Sequence, residues 1–218
     1  MLDARGKLKL AVLISGRGSN LLAMARACTD GRVNASIELV LSDRAAAEGL
    51  IAAAAMGLAT MAAEPGISAA AREAKFAAAI DRSGAGLILL AGFMRVLSPA
   101  FVGRYAGRLV NIHPSLLPQY RGLHTHRRVL EAGDREHGAS VHFVTAELDG
   151  GPVICQARVA VYARDTEHTL AARVLEREHR LYPFAVRLIA DGRVRLGDAG
   201  VLFDGRLLPA PLEMSDDA

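Results

Sequence analysis

Apolar and polar residues fall along the chain in short runs of two kinds. Lys9-Leu10-Ala11-Val12-Leu13-Ile14 is nearly all apolar and stops at Ser15-Gly16. Ile37–Leu41 and Leu87–Ala91 repeat that pattern, and Leu109–Ile112 is a shorter version ending in His113-Pro114. Runs of this length without polar alternation predict strands covered on both faces, as in a parallel sheet. Between them, apolar residues and alanines predict helices over Leu21–Cys28, Ala45–Met56 (closed by Gly57) and Ser68–Ile80, with a short strand at Leu58–Met61. Strands alternating with helices imply right-handed crossovers and a doubly wound, mostly parallel α/β sheet. Ala139–Val144 and Val153–Val161 read as two further strands, separated by only Thr145–Pro152, and this predicts an antiparallel hairpin. His124 and His126 open a helical stretch with Arg127 and Arg128. A long helix is expected from an N-cap at Asp165 or Thr166 towards Ala190. The tail from Asp191 carries Gly-containing turns and short apolar pieces that suit edge strands.

Composition narrows the class. The chain has 218 residues, 51% hydrophobic and 22% charged, which excludes a disordered polypeptide. One domain over 1–218 is the expectation, with residues 1–7 a short lead-in and about 194–218 a tail without assigned function. Lys+Arg minus Asp+Glu is 26 − 23, a formal charge of +3, too small to argue for a nucleic-acid or membrane partner. Two cysteines, Cys28 and Cys155, give neither a metal spacing nor a disulfide framework and point to a reducing compartment. No apolar run reaches the roughly 18 residues of a membrane span, and Met1–Lys9 does not read as a signal peptide. A cytoplasmic protein is expected.

Four places have the residue types for chemistry. Ser15-Gly16-Arg17-Gly18-Ser19-Asn20 joins a buried strand to a helix, at the sheet edge where α/β proteins bind ligands. Glycines let the backbone approach an anion, and free N–H groups at a helix start favour phosphate. The Gly-Lys-Ser/Thr ending of a P-loop is missing, and Leu21 holds the third glycine position of a dinucleotide fingerprint. Asp43, after the second strand, nevertheless stands where a ribose-binding acid would, so phosphate site, dinucleotide site and plain capped turn all remain open. At the second place, alternation sends Asn111 and His113 to one face of a strand end, where an amide donor beside an imidazole suits a developing oxyanion. The third is Asp149 before Gly150-Gly151-Pro152: ordinary turn chemistry, or a carboxylate supporting a histidine. The fourth is Glu178, which falls about 80° from Leu170 at the margin of the last helix's apolar stripe. It reads as a solvated acid or as a carboxylate facing a cleft that takes an amine or sugar hydroxyls. His137, His142, His168 and His179 show no metal-ligand pairing.

Four blocks together carry a resemblance. They are Ile14–Asn20, Leu90-Ala91-Gly92-Phe93-Met94-Arg95-Val96-Leu97, Asn111-Ile112-His113-Pro114-Ser115-Leu116-Leu117-Pro118, and Ser140–Val144 followed by Leu148–Pro152. In this order and spacing they resemble the phosphoribosylglycinamide formyltransferase family of purine biosynthesis, over roughly residues 8 to 190. The resemblance implies a Rossmann-like formyltransferase fold with an antiparallel C-terminal part. It implies transfer of a formyl group from 10-formyltetrahydrofolate to the amine of glycinamide ribonucleotide, with no metal. By resemblance, Gly18, Ser19 and Asn20 hold the ribonucleotide phosphate, and Leu175, Glu176, Arg177 and Glu178 lie on the ribonucleotide side. Asn111, His113 and Asp149 are the implied catalytic trio. Arg72, Met94, Arg95, Val96, Leu97, Asn111, Thr145, Ala146, Glu147, Leu148 and Asp149 are the implied formyl-folate pocket. Partners are then small molecules alone, for a monomer or homodimer. Arg17 and Tyr120-Arg121-Gly122 depart from the family pattern without touching the trio.

Rivals are weaker. A transfer-RNA formyltransferase would need a further C-terminal domain and a basic surface. A formyltetrahydrofolate hydrolase would carry a regulatory domain before the core and lack Gly18-Ser19-Asn20. A nucleotide-binding module built on Gly16, Gly18 and Asp43 leaves Asn111, His113 and Asp149 without a joint role.

Overall fold

The apolar run at the start of the chain becomes β1 (Leu8–Ile14), in the interior of an eight-stranded sheet. The structure is a computed structural model that describes residues 2–4 and 6–214. Met1 and Arg5 of the expected lead-in and residues 215–218 of the expected tail lie outside the described residues. Because side chains alternate along a strand, Leu10, Val12 and Ile14 enter one core and Ala11 and Leu13 the other. That two-sided burial explains why the run carries no polar alternation.

The elements follow in the order α1 (Ser19–Thr29), β2 (Ala35–Ser42), α2 (Glu48–Ala55), β3 (Thr60–Ala62), α3 (Ala69–Ser83), β4 (Leu87–Leu90), α4 (Pro99–Arg104) and β5 (Leu109–His113). Then come α5 (Thr125–Ala132), β6 (Glu136–Phe143), β7 (Val153–Ala160), α6 (Glu167–Ala190), β8 (Val194–Gly197), β9 (Gly200–Phe203), β10 (Arg206–Leu207) and β11 (Leu212–Glu213). The sheet order is β11-β7-β6-β5-β4-β1-β2-β3. Strands β1 to β5 run parallel to one another, and β6 is antiparallel to both β5 and β7. The chain winds outward from β1 to β3 and returns to β4 on the other side of β1. That reversal opens a crevice at the carboxyl ends of β1 and β4.

Several boundaries differ from the sequence expectation. α2 starts at Glu48 rather than Ala45, because Ala47 is extended (ψ 122°) and its N–H closes a turn on the Arg44 carbonyl. α4 was not expected. It is six residues long, with Pro99 at its start, and the Ser98 hydroxyl accepts from the Phe101 N–H at 3.2 Å. The tail only partly joins the main sheet: β11 adds to its edge beside β7, while β8–β10 form a separate antiparallel sheet.

α6 is fixed at its start by the Thr166 capping box. It buries Leu170, Val174 and Leu181, and its Tyr182 hydroxyl donates to the carbonyls of Leu90 and Val110, at 3.1 and 3.0 Å. The helix is thereby registered against the ends of β4 and β5.

Candidate active site

β5 delivers Asn111 and His113 to the crevice, and the antiparallel register sets Asn111 opposite His142 and His113 opposite Ser140. His113 Nε2 lies 3.0 Å from the Tyr120 carbonyl, which can only accept, so that nitrogen carries a proton. The other ring nitrogen, Nδ1, lies 3.5 Å from Asp149 Oδ2. The Gly122 N–H donates to the same oxygen at 2.9 Å, so the Tyr120-Arg121-Gly122 segment, expected to stay clear of the trio, touches it through backbone atoms at Tyr120 and Gly122. Asp149 sits in the β6–β7 turn with left-handed backbone (φ 48°), a conformation an aspartate tolerates better than most side chains. Tyr120 and His124, across the cleft, are also left-handed, at 54° and 58°.

His142 explains how the Asn111 amide is oriented. Its Nδ1–H donates to the Phe143 carbonyl at 3.0 Å, leaving Nε2 to accept from Asn111 Nδ2 at 3.1 Å. Burial pushes the His142 imidazole down to about 4, so it is neutral near pH 7 and remains an acceptor. One Asn111 amide proton is thus held, which fixes the direction of the rest of the amide.

A cavity of about 510 Å³ opens over these groups. Phe93, Met94, Val96, Leu123 and Leu148 give it apolar walls, and Asn111, His113 and Asp149 cluster on its lining. Thr125 and His126 at the start of α5 also line it. His126 Nδ1 meets the buried His137 Nε2 at 3.0 Å, and burial lowers both imidazoles, that of His137 to about 4.

A second cluster forms where α1 meets α6. Gly18 has φ 72°, and a Cβ there would lie 2.8 Å from the Gly49 Cα, so the loop requires glycine on both counts. No side chain caps α1, which leaves its first N–H groups open. Asn20 Nδ2 donates to Glu178 Oε2 at 2.7 Å. Glu178 is therefore a buried carboxylate, not the solvated acid its pattern position equally allowed. Burial pushes it up to about 6, against the opposing effect of the Asn20 bond. Asn20 Oδ1 is buried too and accepts from nothing among the described residues.

The structure therefore brings Asn111, His113 and Asp149 together and pairs Asn20 with Glu178. Met94, Arg95, Val96 and Leu148 line the cavity. Leu97 does not; it packs into the core beside Phe101. Thr145, Ala146 and Glu147 do not line it either: Thr145 Oγ1 donates to the Glu147 carbonyl at 3.4 Å, and the Glu147 carboxylate pairs with Arg121. Arg72 is half-buried on α3, outside the lining, with its Nε unpartnered among the described residues. Glu176 is exposed while Glu178, two residues on, is buried. Leu175 and Arg177 are half-buried on the same turns. His142 carries no metal-ligand spacing, and its role follows from the antiparallel β5–β6 register that sets it opposite Asn111, a pairing the sequence pattern did not predict. Among the described residues no three His, Cys, Asp or Glu side chains are grouped to hold a metal.

Fold and cleft define a class, and comparison with known proteins agrees with it. A family model described as formyl transferase matches residues 8–186, and the chain belongs to that family. Within it, the chain is 50% identical over 204 residues to the phosphoribosylglycinamide formyltransferase of Escherichia coli (strain K12), covering 93% of this chain and 96% of that one. It is 41% identical over 203 residues to the enzyme of that name from Haemophilus influenzae, at 92% and 96% coverage. The solved structure of phosphoribosylglycinamide formyltransferase from Coxiella burnetii superposes with a TM-score of 0.90 at 44% identity, covering 96% of this chain and all of the other.

Proposed function

We propose that this protein transfers the formyl group of 10-formyltetrahydrofolate to the amine of 5-phosphoribosylglycinamide, in purine biosynthesis, yielding formylglycinamide ribonucleotide and tetrahydrofolate. The observation that carries the reading is the meeting of Asn111, His113 and Asp149 on one apolar-walled cavity at the carboxyl edge of the sheet. The apolar walls suit a flat heteroaromatic donor, flanked by Met94, Arg95 and Val96 on one side and by Leu148 on the other. The open N–H groups of Ser19 and Asn20 suit the ribonucleotide phosphate. The unpartnered Asn20 Oδ1 and the Glu178 carboxylate suit donors such as ribose hydroxyls or the amine. Arg72, Leu97 and Thr145–Glu147 enter this reading as second-rank contacts, reached through the segments they support. Leu175–Arg177 hold the turn of α6 that presents Glu178.

The acceptor amine attacks the formyl carbon, and negative charge develops on the formyl oxygen. The free Asn111 amide proton donates to that oxygen, and the His113 imidazolium, its nitrogens facing Tyr120 and Asp149, stabilises it through its charge. Asp149 and His113 then pass the proton, through water, from the attacking nitrogen to the departing folate nitrogen. We propose further that residues 1–218 work as one formyltransferase unit in the cytoplasm, as a monomer or homodimer, without metal or nucleic acid. Removing one charge-stabilising donor costs on the order of 3 kcal/mol, about 100-fold in rate. His113→Ala and Asp149→Ala are each expected to lose at least that in turnover while keeping the wild-type circular dichroism spectrum. Wild-type turnover in either purified variant contradicts the mechanism.

A further inference from the structure

Asp43 is the one acid singled out in the sequence that the proposed reaction leaves without a role. Its side chain is only 1% exposed, yet among the described residues Oδ1 has no partner, while Oδ2 accepts from Arg95 Nε at 2.7 Å. Asp43 follows the end of β2, and Arg95 follows β4, on the far side of β1. The Arg95 side chain therefore crosses the end of β1, at the point where the strand order reverses. Two more bonds tie the same segment to β1's loop. The Ser15 N–H donates to the Gly92 carbonyl at 3.1 Å, and the Met94 N–H donates to Ser15 Oγ at 2.8 Å.

These tethers matter because the segment has little packing at its tip. Met94 and Val96 are 58% and 74% exposed, while Phe93 and Leu97 beside them are buried in the core. The segment is thus rooted at Phe93 and Leu97, and between these roots its exposed tip is steadied by polar anchors, of which the outermost is Arg95 on Asp43. A carboxylate this well covered, with one oxygen unpartnered, is retained against a desolvation penalty.

We propose that Asp43 is a positioning residue for the formyl-donor side of the cleft, acting through Arg95 to hold Gly92–Val96 at the cavity wall. This rests on the reading that Met94, Arg95 and Val96 flank the donor. It also means that Arg95 Nε is committed to Asp43, while the side chain as a whole stays half exposed at the cavity lining.

The test is a mutant cycle of Asp43→Ala, Asp43→Asn, Arg95→Ala and the Asp43→Ala/Arg95→Ala double variant. Donor and acceptor are varied separately in steady state, and calorimetric titration with unformylated folate is run alongside. Asp43→Ala is expected to raise the donor KM and the folate Kd about fivefold, with kcat within about twofold and acceptor KM unchanged. Asp43→Asn, whose amide oxygen still accepts from Nε, recovers part of that change. The double variant matches Arg95→Ala alone, since Asp43 acts only through Arg95. Unchanged folate binding in both Asp43 variants overturns the proposal, as does a double variant in which the effects multiply. A fall in kcat and both KM values together, tracking a lower Tm, marks a merely structural role and also overturns it. Wild-type protein that does not bind folate overturns the donor-site reading itself, and the proposal with it.

Discussion

Glu178 is buried on α6, where among the described residues it accepts one hydrogen bond, from Asn20, and burial lifts its carboxyl from the usual 4.5 to about 6. The folded protein thus binds this proton at a pH where the unfolded chain has released it. Glu178 favours the fold below about pH 4.5, and that advantage is lost as the pH rises through about 6. Near pH 8 the buried charge works against folding by about 2 kcal/mol. Glu178→Gln keeps an acceptor for Asn20 without the charge. It is expected to stabilise the protein by about 2 kcal/mol at pH 8, and by much less at pH 4.5, in urea unfolding followed at both pH values. Its KM for the ribonucleotide is expected to rise. A pH-independent effect on stability would show that Glu178 is not a buried carboxylate. The sequence placed Glu178 only at the margin of a stripe, because which helix packs beside α6 is a tertiary fact. His142 is similar: its neutral state follows from burial between β5 and β7, and no local pattern displays that.

Among the elements, the strands were the most legible. β4 and all but the first two residues of β1 are buried on both faces, and double burial leaves an apolar run without polar alternation that cannot be confused with a surface helix; in β5 only Asn111 and His113 interrupt it. Helix starts were less so. α2 begins three residues late because its alanines favour helix without marking where it starts, and Ala47 offers no capping side chain. α4 was signalled by Ser98-Pro99 but is too short for periodicity to register. The loop into α1 is where a local rule and a tertiary contact coincide. Gly18 supplies a left-handed φ, and its missing Cβ admits Gly49, whose N–H donates to the Gly16 carbonyl at 3.0 Å. Gly18→Ala is expected to destabilise the fold by about 2–3 kcal/mol, combining a left-handed alanine with a backbone clash. It should also raise the KM for the ribonucleotide more than that for the formyl donor. Equal effects on both substrates would separate this loop from the phosphate.

Across the whole molecule, two clusters that are far apart in sequence meet on one edge of the sheet. The Gly18–Asn20 loop meets α6 through Glu178, while β5 and the β6–β7 turn bring Asn111 and His113 to Asp149. Strand alternation put Asn111 and His113 on one face, but Asp149 joined them only through the family resemblance, because no local pattern shows that the β6–β7 turn reaches β5. The reach of the cavity was not legible either. Leu97 turns inward and Thr145–Glu147 close on Arg121, choices set by packing and by a loop contact across the cleft. Formyl transfer between two small molecules needs both clusters at once, and hydrolysis of the donor would need only the second. The most direct measurement is therefore a steady-state assay with 10-formyltetrahydrofolate, with and without glycinamide ribonucleotide, following release of the deformylated folate. Turnover that requires the ribonucleotide is the predicted result. Turnover at the same rate without it, or none from folded protein with both substrates present, would contradict the account.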